Sequence, residues 1–258
     1  MPTRDTRWPA GTPCWIDYGA ADLDAAKAFY ANLLGWSYSG GEPEFGGYLT
    51  AEKNGLAAAG MAPQMDSADP PRWTTYFATD DADATAARIT AAGGTVLVPP
   101  MDVGPMGRMA IGQDPQGHPF GLWQAGQQTG VRIYNEPGSL VWNEAAVEDP
   151  AAARDFYGSV FDFRFDELEG AGGYTTFATG EAPLGGLSGH QPGSSTGWTC
   201  CFAVHSTDEA VATAEKGGAK VVLAAQDSPY GRFAVLADPW AAVFSVMQVA
   251  PADSGPTS

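Results

Sequence analysis

Apolar residues recur along this chain with two alternating periods, and each change of period marks a new element. Residues 13–19 are typical of a strand. Between Asp22 and Gly35, apolar side chains stand at helical spacing, and Gly35 supplies a C-terminal stop. Three short strands are then predicted at about 36–39, 45–51 and 55–62. The first sixty or so residues therefore predict a β-α-β-β-β unit.

The same order of elements returns further along the chain. Residues 73–78 alternate as a strand, 80–92 predict a helix that ends at Gly93-Gly94, and strand-like segments follow at 94–98, 108–113 and 119–124. In the second half, Asp149-Pro150 is typical of a helix start, and residues 206–209 form a capping box. Four β-α-β-β-β units are thus predicted to fill the chain.

The chain also repeats in sequence. Residues 15–30 align without gaps with residues 142–157, so that Trp15 corresponds to Trp142. Later segments keep the correspondence, with Gly107-Arg108 and Asp114-Pro115 matching Gly231-Arg232 and Asp238-Pro239. We predict two homologous domains, residues 12–125 and 139–248, related by a pseudo-twofold axis. The small polar residues of 126–130 indicate a linker, which we place at 126–138.

Composition narrows the function classes. The chain has 258 residues, of which 44% are hydrophobic and 17% charged, so it can bury a real core. Its formal net charge of −17 repels phosphate backbones, and its 13 basic residues form no cluster. We therefore expect no nucleic-acid partner.

Membrane and export signals are not visible either. No apolar run approaches the ~20 residues that span a bilayer, and no apolar stretch follows the basic N-terminus. We expect no membrane partner and a cytoplasmic location. Three cysteines, Cys14, Cys200 and Cys201, include no C-x-x-C pair and are expected to be reduced core residues.

Several motifs in order carry a family resemblance. A strand, a helix ending in Phe29-Tyr30, the segment Leu34-Gly35-Trp36 and a later Asp-Pro-Gln-Gly117 turn resemble the vicinal oxygen chelate superfamily. That superfamily includes glyoxalase I, the bleomycin- and fosfomycin-resistance proteins and the extradiol dioxygenases. The resemblance covers residues 12–248 and is similar in detail to the tandem, two-domain glyoxalase-like antigens of actinobacteria. It implies an α+β fold of two tandem glyoxalase-like domains, whose four β-α-β-β-β units form curved sheets around funnels, and many reactions share this fold.

The resemblance also implies where a metal would sit. The first family ligand precedes the Asp of the first helix by seven residues, the second lies on the strand that opens the second unit, and the third follows the Asp-Pro turn. In this chain those positions are occupied by Trp15 and Trp142, about Thr74 and Thr199, and Gly121 and Ser245. None supplies the imidazole or carboxylate ligands that a divalent cation needs. We expect no metal and no cofactor.

Two carboxylates are the candidate catalytic groups. Strand alternation places Asp17 on the same face as Trp15, and Glu144 on the same face as Trp142. A carboxylate beneath an indole in a partly apolar cavity has its charged form destabilised, which tunes it as a general base or acid. The structural alternative is a hydrogen-bonded carboxylate that fixes sheet geometry.

Three further pairs are candidates for substrate binding. Arg108 and Arg232 offer a planar fork for developing negative charge, or else form salt bridges at a funnel rim. Tyr48 and Tyr174 lie on repeated strands and either donate to a ligand oxygen or pack in the core. Trp15 and Trp142 are the indoles expected to stack on the ligand, while the other strand tryptophans are expected to be core. The three histidines are expected to be solvated or capping residues.

These observations favour a metal-independent, glyoxalase-like protein that acts on a small, flat, largely apolar metabolite by carboxylate acid/base chemistry, in secondary metabolism or detoxification. As an enzyme, it would be of the lyase or isomerase type or grouped with hydroxylases. The alternative is a non-catalytic binding protein that sequesters a drug-like compound, as resistance members of the superfamily do. The expected partner is a small-molecule ligand. We expect a monomer, because internal duplication already supplies the pairing that single-domain relatives obtain by dimerising.

Overall fold

The computed structural model describes residues 2–64, 70–190 and 196–249. Its first half contains two helices and eight strands. They are β1 (Pro13–Ala20), α1 (Leu23–Leu34), β2 (Ser37–Gly40), β3 (Leu49–Lys53), β4 (Leu56–Pro63), β5 (Arg72–Ala78), α2 (Ala82–Ala91), β6 (Thr95–Val103), β7 (Gly107–Gln113) and β8 (Pro119–Ala125).

The second half repeats this order element by element. It contains β9 (Leu140–Val147), α3 (Pro150–Phe161), β10 (Arg164–Glu167), β11 (Thr175–Ala178), β12 (Gly185–Gly189), β13 (Gly197–Val204), α4 (Thr207–Lys216), β14 (Lys220–Ser228), β15 (Gly231–Ala237) and β16 (Val243–Val249). We refer to β1–β4 with α1 as unit 1, β5–β8 with α2 as unit 2, β9–β12 with α3 as unit 3, and β13–β16 with α4 as unit 4.

Each half forms its own eight-stranded sheet. The first has the order β2-β3-β4-β1-β5-β8-β7-β6, and the second has the equivalent order β10-β11-β12-β9-β13-β16-β15-β14. In each sheet the opening strands of the two units pair antiparallel at the centre, β1 with β5 and β9 with β13. The predicted α+β architecture of two tandem domains, each built from two β-α-β-β-β units, is therefore confirmed.

The helices begin where their capping residues predict. Asp22 accepts a hydrogen bond from the backbone N–H of Ala25, and Ser206 accepts one from Glu209. Gly35 ends α1 in the left-handed conformation, with φ of 70°. Asp162 takes the same role after α3 at φ of 60°, a conformation that aspartate tolerates better than most residues. These caps satisfy backbone groups that helix ends leave without partners.

The two largest hydrophobic cores lie between the halves. One core combines unit 1 with unit 4, and a second combines unit 2 with unit 3. Helix α1 correspondingly contacts α4, and α2 contacts α3. The largest fully buried aromatic side chains of the first core are Tyr18, Tyr30, Phe202 and Phe244, and those of the second are Phe77, Phe120, Tyr157 and Phe177.

A buried carboxylate joins the units across each core. The Asp238 carboxylate, in the Asp-Pro turn of unit 4, accepts hydrogen bonds from Tyr18 at 2.6 Å and Tyr30 at 2.9 Å in unit 1. Asp114, in the equivalent turn of unit 2, accepts one from Tyr157 of unit 3 at 3.0 Å. A hydrogen bond to a buried carboxylate is stronger than a neutral one, so these contacts hold the halves in register.

His118 completes the Asp114 cluster, which corrects the expectation that it is solvated or a cap. The imidazole is buried, with Nδ1 at 3.0 Å from Asp114 and Nε2 at 3.2 Å from Glu148. Burial disfavours the imidazolium, but the two carboxylates outweigh burial and raise the pKa of His118 above its ordinary value. In the other cluster, Tyr18 supplies the additional donor.

The segment between the two sheets is packed against the protein. Val131 and Ile133 are buried, and the Trp8 indole donates to the carbonyl of Val131 at 3.2 Å. The small polar residues at its start therefore do not mark a loose tether.

The structure also tests the predictions for the cysteines and for Trp36. The three cysteines are free and buried, as predicted, while Trp36 precedes β2 instead of lying in a strand.

Within the described residues, no helix is both long and apolar enough to cross a membrane.

We expect Asp238→Ala to lower the free energy of unfolding by at least about 2 kcal/mol, because it leaves two buried tyrosine hydroxyls without an acceptor at roughly 1–3 kcal/mol each. Urea unfolding measures the loss. Asp155→Ala is the matched control, since Asp155 is exposed on α3, and it should change stability by less than about 0.5 kcal/mol. Equal effects of the two substitutions would contradict a joining role for Asp238.

Candidate functional site

One face of each sheet packs in a core, and we call the opposite face the concave face, because the family resemblance implies sheets curved around funnels. On β1, Ile16 and Tyr18 point into the core, so Trp15 and Asp17 lie on the concave face. On β9, the buried Ala145 points into the core. Trp142 and Glu144 therefore occupy the equivalent concave face of the second half.

In the first half, an indole, a tyrosine and a carboxylate form a chain of hydrogen bonds. The indole N–H of Trp15 donates to the Tyr48 hydroxyl at 2.8 Å. That hydroxyl donates in turn to the Asp17 carboxylate, which also accepts from Tyr76 on the neighbouring strand β5. Asp17 is thus held from two sides by phenol groups.

The second half has the same chain of groups. Trp142 donates to the Tyr174 hydroxyl at 2.9 Å, and that hydroxyl donates to Oε2 of Glu144 at 3.2 Å. The strand position equivalent to Tyr76 is Cys201, which lies beside Trp142 as Tyr76 lies beside Trp15. Glu144 therefore has one phenol donor where Asp17 has two.

Two glycines make room for the tyrosines. Gly60 on β4 pairs with Asp17, and Gly186 on β12 pairs with Glu144. A Cβ atom at Gly60 would overlap the Tyr48 hydroxyl, and one at Gly186 would overlap the hydroxyl of Tyr174. Any larger residue at either place would displace the phenol from its carboxylate.

Burial destabilises the charged form of both carboxylates. Desolvation raises the pKa of Asp17 to about 7, although the hydrogen bonds from Tyr76 and Tyr48 oppose the shift. Desolvation also raises the pKa of Glu144, against the hydrogen bond from Tyr174. This is the direction that the sequence predicts for a carboxylate beside an indole. Asp17 changes its charge near neutral pH, which suits proton transfer.

The residues at the family's metal positions do not fit a divalent cation. The strand register sets Tyr76 between Trp15 and Gly121, and Cys201 between Trp142 and Ser245, so Thr74 and Thr199 lie two residues away from the row. An indole, a phenol and a glycine cannot chelate, and the second row offers one thiol and one hydroxyl. Across the described ranges, no three His, Cys, Asp or Glu side chains cluster as metal ligands.

The two arginines lie away from the concave faces and form salt bridges, which is the alternative given for them in the sequence analysis. Their strand neighbours Ala110 and Ala234 are core residues, on the same side as the helices. Arg108 is held by Asp83 and Asp102, both at 2.9 Å. Arg232 is held in the same way by Asp208 at 2.9 Å and Asp227 at 3.2 Å. Their guanidinium groups link helix and strand and do not face a ligand.

The tryptophan and tyrosine candidates differ in exposure and in their hydrogen-bond partners. Trp15 is only 4% exposed, so its face is not open to a ligand, whereas Trp142 is partly exposed. The hydroxyls of Tyr48 and Tyr174 donate to the carboxylates of Asp17 and Glu144. Both tyrosines therefore position a carboxylate.

Sequence reasoning missed Tyr76 and its replacement in the second half. Tyr76 has a visible signal, because it alternates with the core residues Thr75 and Phe77 on β5 and so shares a face with the opening strand's Trp15. The strand register that pairs Trp15 with Tyr76, and so brings the Tyr76 hydroxyl to Asp17, is not revealed by the sequence.

Comparison with known proteins agrees with this architecture. A model of the Glyoxalase/Bleomycin resistance protein/Dioxygenase superfamily matches residues 15–122 and again residues 139–245. The chain belongs to this superfamily, with one member domain in each half.

Two relatives match over nearly the whole chain. A Mycobacterium tuberculosis protein named "Putative glyoxylase CFP32" is 40% identical, with 97% of this chain and 99% of that protein covered. The "Anthracycline biosynthesis protein DnrV" of Streptomyces peucetius is 37% identical, with 95% of each chain covered.

Solved structures share the fold at much lower identity. The Mn(II)-bound glyoxalase from Novosphingobium aromaticivorans has a TM-score of 0.67 at 16% identity, covering 93% of this chain and 82% of that one. The 2,2',3-trihydroxybiphenyl 1,2-dioxygenase from Sphingomonas wittichii strain RW1 has a TM-score of 0.64 at 15% identity, covering 95% and 94%. At such identity the likeness shows the fold alone.

The raised pKa of Asp17 predicts a particular pH dependence of stability. In the folded protein the carboxyl keeps its proton up to about pH 7, against an ordinary value of 3.8 when unfolded. The folded state therefore binds more protons between these values, and its stability falls as pH rises through that window. Asp17→Asn removes this contribution. We therefore expect the free energy of unfolding of the variant, minus that of the parent, to be larger at pH 8 than at pH 5.

Urea unfolding of both proteins at the two pH values measures the difference. Asp155→Asn, an exposed carboxyl changed in the same way, should show no pH-dependent gain. A parent-to-variant difference that is equal at pH 5 and pH 8 would mean that the pKa of Asp17 is not raised.

Proposed function

We propose that this protein is a glyoxalase-like enzyme that acts, without a metal, on a small, flat, largely apolar metabolite by proton transfer to or from a concave-face carboxylate. The observation that carries the proposal is the chain of indole, phenol and carboxylate repeated at Asp17 and Glu144. A partly buried carboxylate with a raised pKa is a base strong enough to accept a proton and an acid strong enough to return it.

The phenol groups give the carboxylate a fixed direction. Because the hydroxyl of Tyr174 donates to Oε2 of Glu144 at 3.2 Å, the other oxygen, Oε1, is the one left for a substrate proton. Tyr48 and Tyr76 constrain Asp17 more fully, since both donate to it. The residues thus hold and move a proton, while the apolar surroundings exclude water and keep the carboxylate basic.

The substrate class is supported by a relative. The 37% identical DnrV is named for anthracycline biosynthesis, and anthracyclines are flat, fused-ring compounds. A partly exposed indole such as Trp142 suits a flat ring, because stacked rings contribute roughly 0.5–1.5 kcal/mol beyond the area they bury. We place the protein in secondary metabolism or detoxification on this basis.

A second candidate function is non-catalytic binding. It is favoured by the tyrosine hydroxyls, which satisfy both carboxylates without any ligand. In that case Asp17 and Glu144 fix sheet geometry, and the concave faces sequester a compound.

Amide variants separate the two functions. We expect Asp17→Asn combined with Glu144→Gln to slow turnover by roughly 10²–10⁴-fold, the usual contribution of a general acid or base, and to leave binding within a few-fold. Turnover is measured by absorbance on a panel of fused-ring quinones and by mass spectrometry of any compound that co-purifies. Asp155→Asn with Glu215→Gln, both exposed, is the matched control.

Parent-level turnover by the double amide variant would make the carboxylates structural and leave binding as the function. Separate Asp17→Asn and Glu144→Gln proteins then show which half works, because the two concave faces differ.

A further inference from the structure

The concave face of the first half is filled by its own side chains. The ring of Tyr76 lies across Gly121, so close that a Cβ atom at Gly121 would overlap it. Trp15, Tyr76 and Trp123 belong to one buried cluster and are 4%, 6% and 8% exposed. This face leaves little room for a ligand between β1, β5 and β8.

The second half lacks this filling. Cys201 stands where Tyr76 stands, and Ser245 stands where Gly121 stands. Cysteine is far smaller than tyrosine, so the space that the Tyr76 ring occupies in the first half is not occupied by an equivalent ring in the second. Among the described residues, no buried hydrophobic cluster covers this face, and both Trp142 and Met247 are partly exposed.

Ser245 adds a second, independent observation. It is 3% exposed, and its hydroxyl has no hydrogen-bond partner anywhere in the described part of the chain. Its neighbours on β16, Phe244 and Val246, are core residues, so the Ser245 side chain lies on the concave side, next to Cys201. Buried polar groups are nearly always paired, so the unpaired hydroxyl of Ser245 on this face points to a ligand atom as its partner.

The surrounding charges restrict the ligand. Glu144 lies on this face, and Arg232 is held on the opposite face by Asp208. The carboxylate of Glu144 would repel an anion, and Arg232 does not reach this face to balance its charge. The partly exposed side chains of Trp142, Phe233 and Met247 suit a flat apolar ring. A serine hydroxyl both donates and accepts, which suits a phenol or carbonyl oxygen.

We propose that the concave face of the second half alone binds the ligand, and that the Ser245 hydroxyl hydrogen-bonds an oxygen of a neutral, planar aromatic compound. The first half is then a filled partner domain. This inference rests on the proposed function, because it chooses one of that function's two carboxylate sites and names the chemistry of its substrate.

A pair of probes tests the hydrogen bond. 2-Naphthol is a neutral planar phenol, and naphthalene is the same ring system without the oxygen. We expect calorimetry to give one 2-naphthol site per chain. Ser245→Ala should weaken 2-naphthol binding by about two- to tenfold, the range of one net hydrogen bond, and leave naphthalene binding unchanged. Ser159→Ala, an exposed serine on α3, should change neither.

A second variant tests the space. Cys201→Tyr with Ser245→Gly copies the Tyr76–Gly121 pair into the second half and should abolish 2-naphthol binding. Urea unfolding checks that this double variant folds. If it does not fold, Ser245→Ala alone tests the proposed ligand site, because this substitution removes only the hydroxyl oxygen. Two sites per chain, no 2-naphthol binding by the parent, or equal binding by Ser245→Ala would overturn the inference.

Failure of the proposed function has a different signature. The Ser245 dependence of 2-naphthol binding would persist, whereas turnover would be unchanged in the Asp17 and Glu144 amide variants. The opposite result would be that Ser245→Ala binds 2-naphthol like the parent while the amide variants still lose turnover. That result would refute the ligand site and leave the proposed acid/base chemistry intact.

Discussion

The structure depends on a buried carboxylate that accepts hydrogen bonds from another unit's tyrosines. Asp238 binds Tyr18 and Tyr30 across one core, and Asp114 binds Tyr157 across the other. Because each sheet's convex face is covered by a unit from the opposite half, these contacts set how the halves meet. Side chains on the concave faces therefore do not pack in these two cores. A carboxylate can be retained there only if its own neighbours satisfy it.

The two concave faces show how duplicated sites diverge under that constraint. Both keep an indole, a tyrosine and a carboxylate, together with the glycine that lets the tyrosine approach. Among their differences, the replacement of Tyr76 by Cys201 changes both the filling of the face and the number of phenol donors to the carboxylate. At this register position the first half carries an aromatic ring that the second half lacks.

Much of the fold follows from local signals, because capping residues and glycines act within a few residues of the chain. Asp22, Gly35 and Ser206 begin or end helices where their chemistry predicts. The candidate site is harder to predict from local signals. Strand alternation puts Asp17 beside Trp15, but the sequence cannot reveal that Arg108 points to the helix side or that Tyr76 reaches Asp17, since both depend on sheet register. The environment of His118 likewise depends on another unit, because Glu148, which contacts it, belongs to unit 3.

The sharing of cores between distant units has a consequence for synthesis on the ribosome. Tyr18 and its partner Asp238 are 220 positions apart, so the first unit waits for nearly the whole chain before its core can close. Units 2 and 3 are adjacent in sequence and can close theirs much earlier. The nascent chain would therefore assemble from its middle outward, with its first-made strands holding exposed apolar surface until its last-made strands arrive.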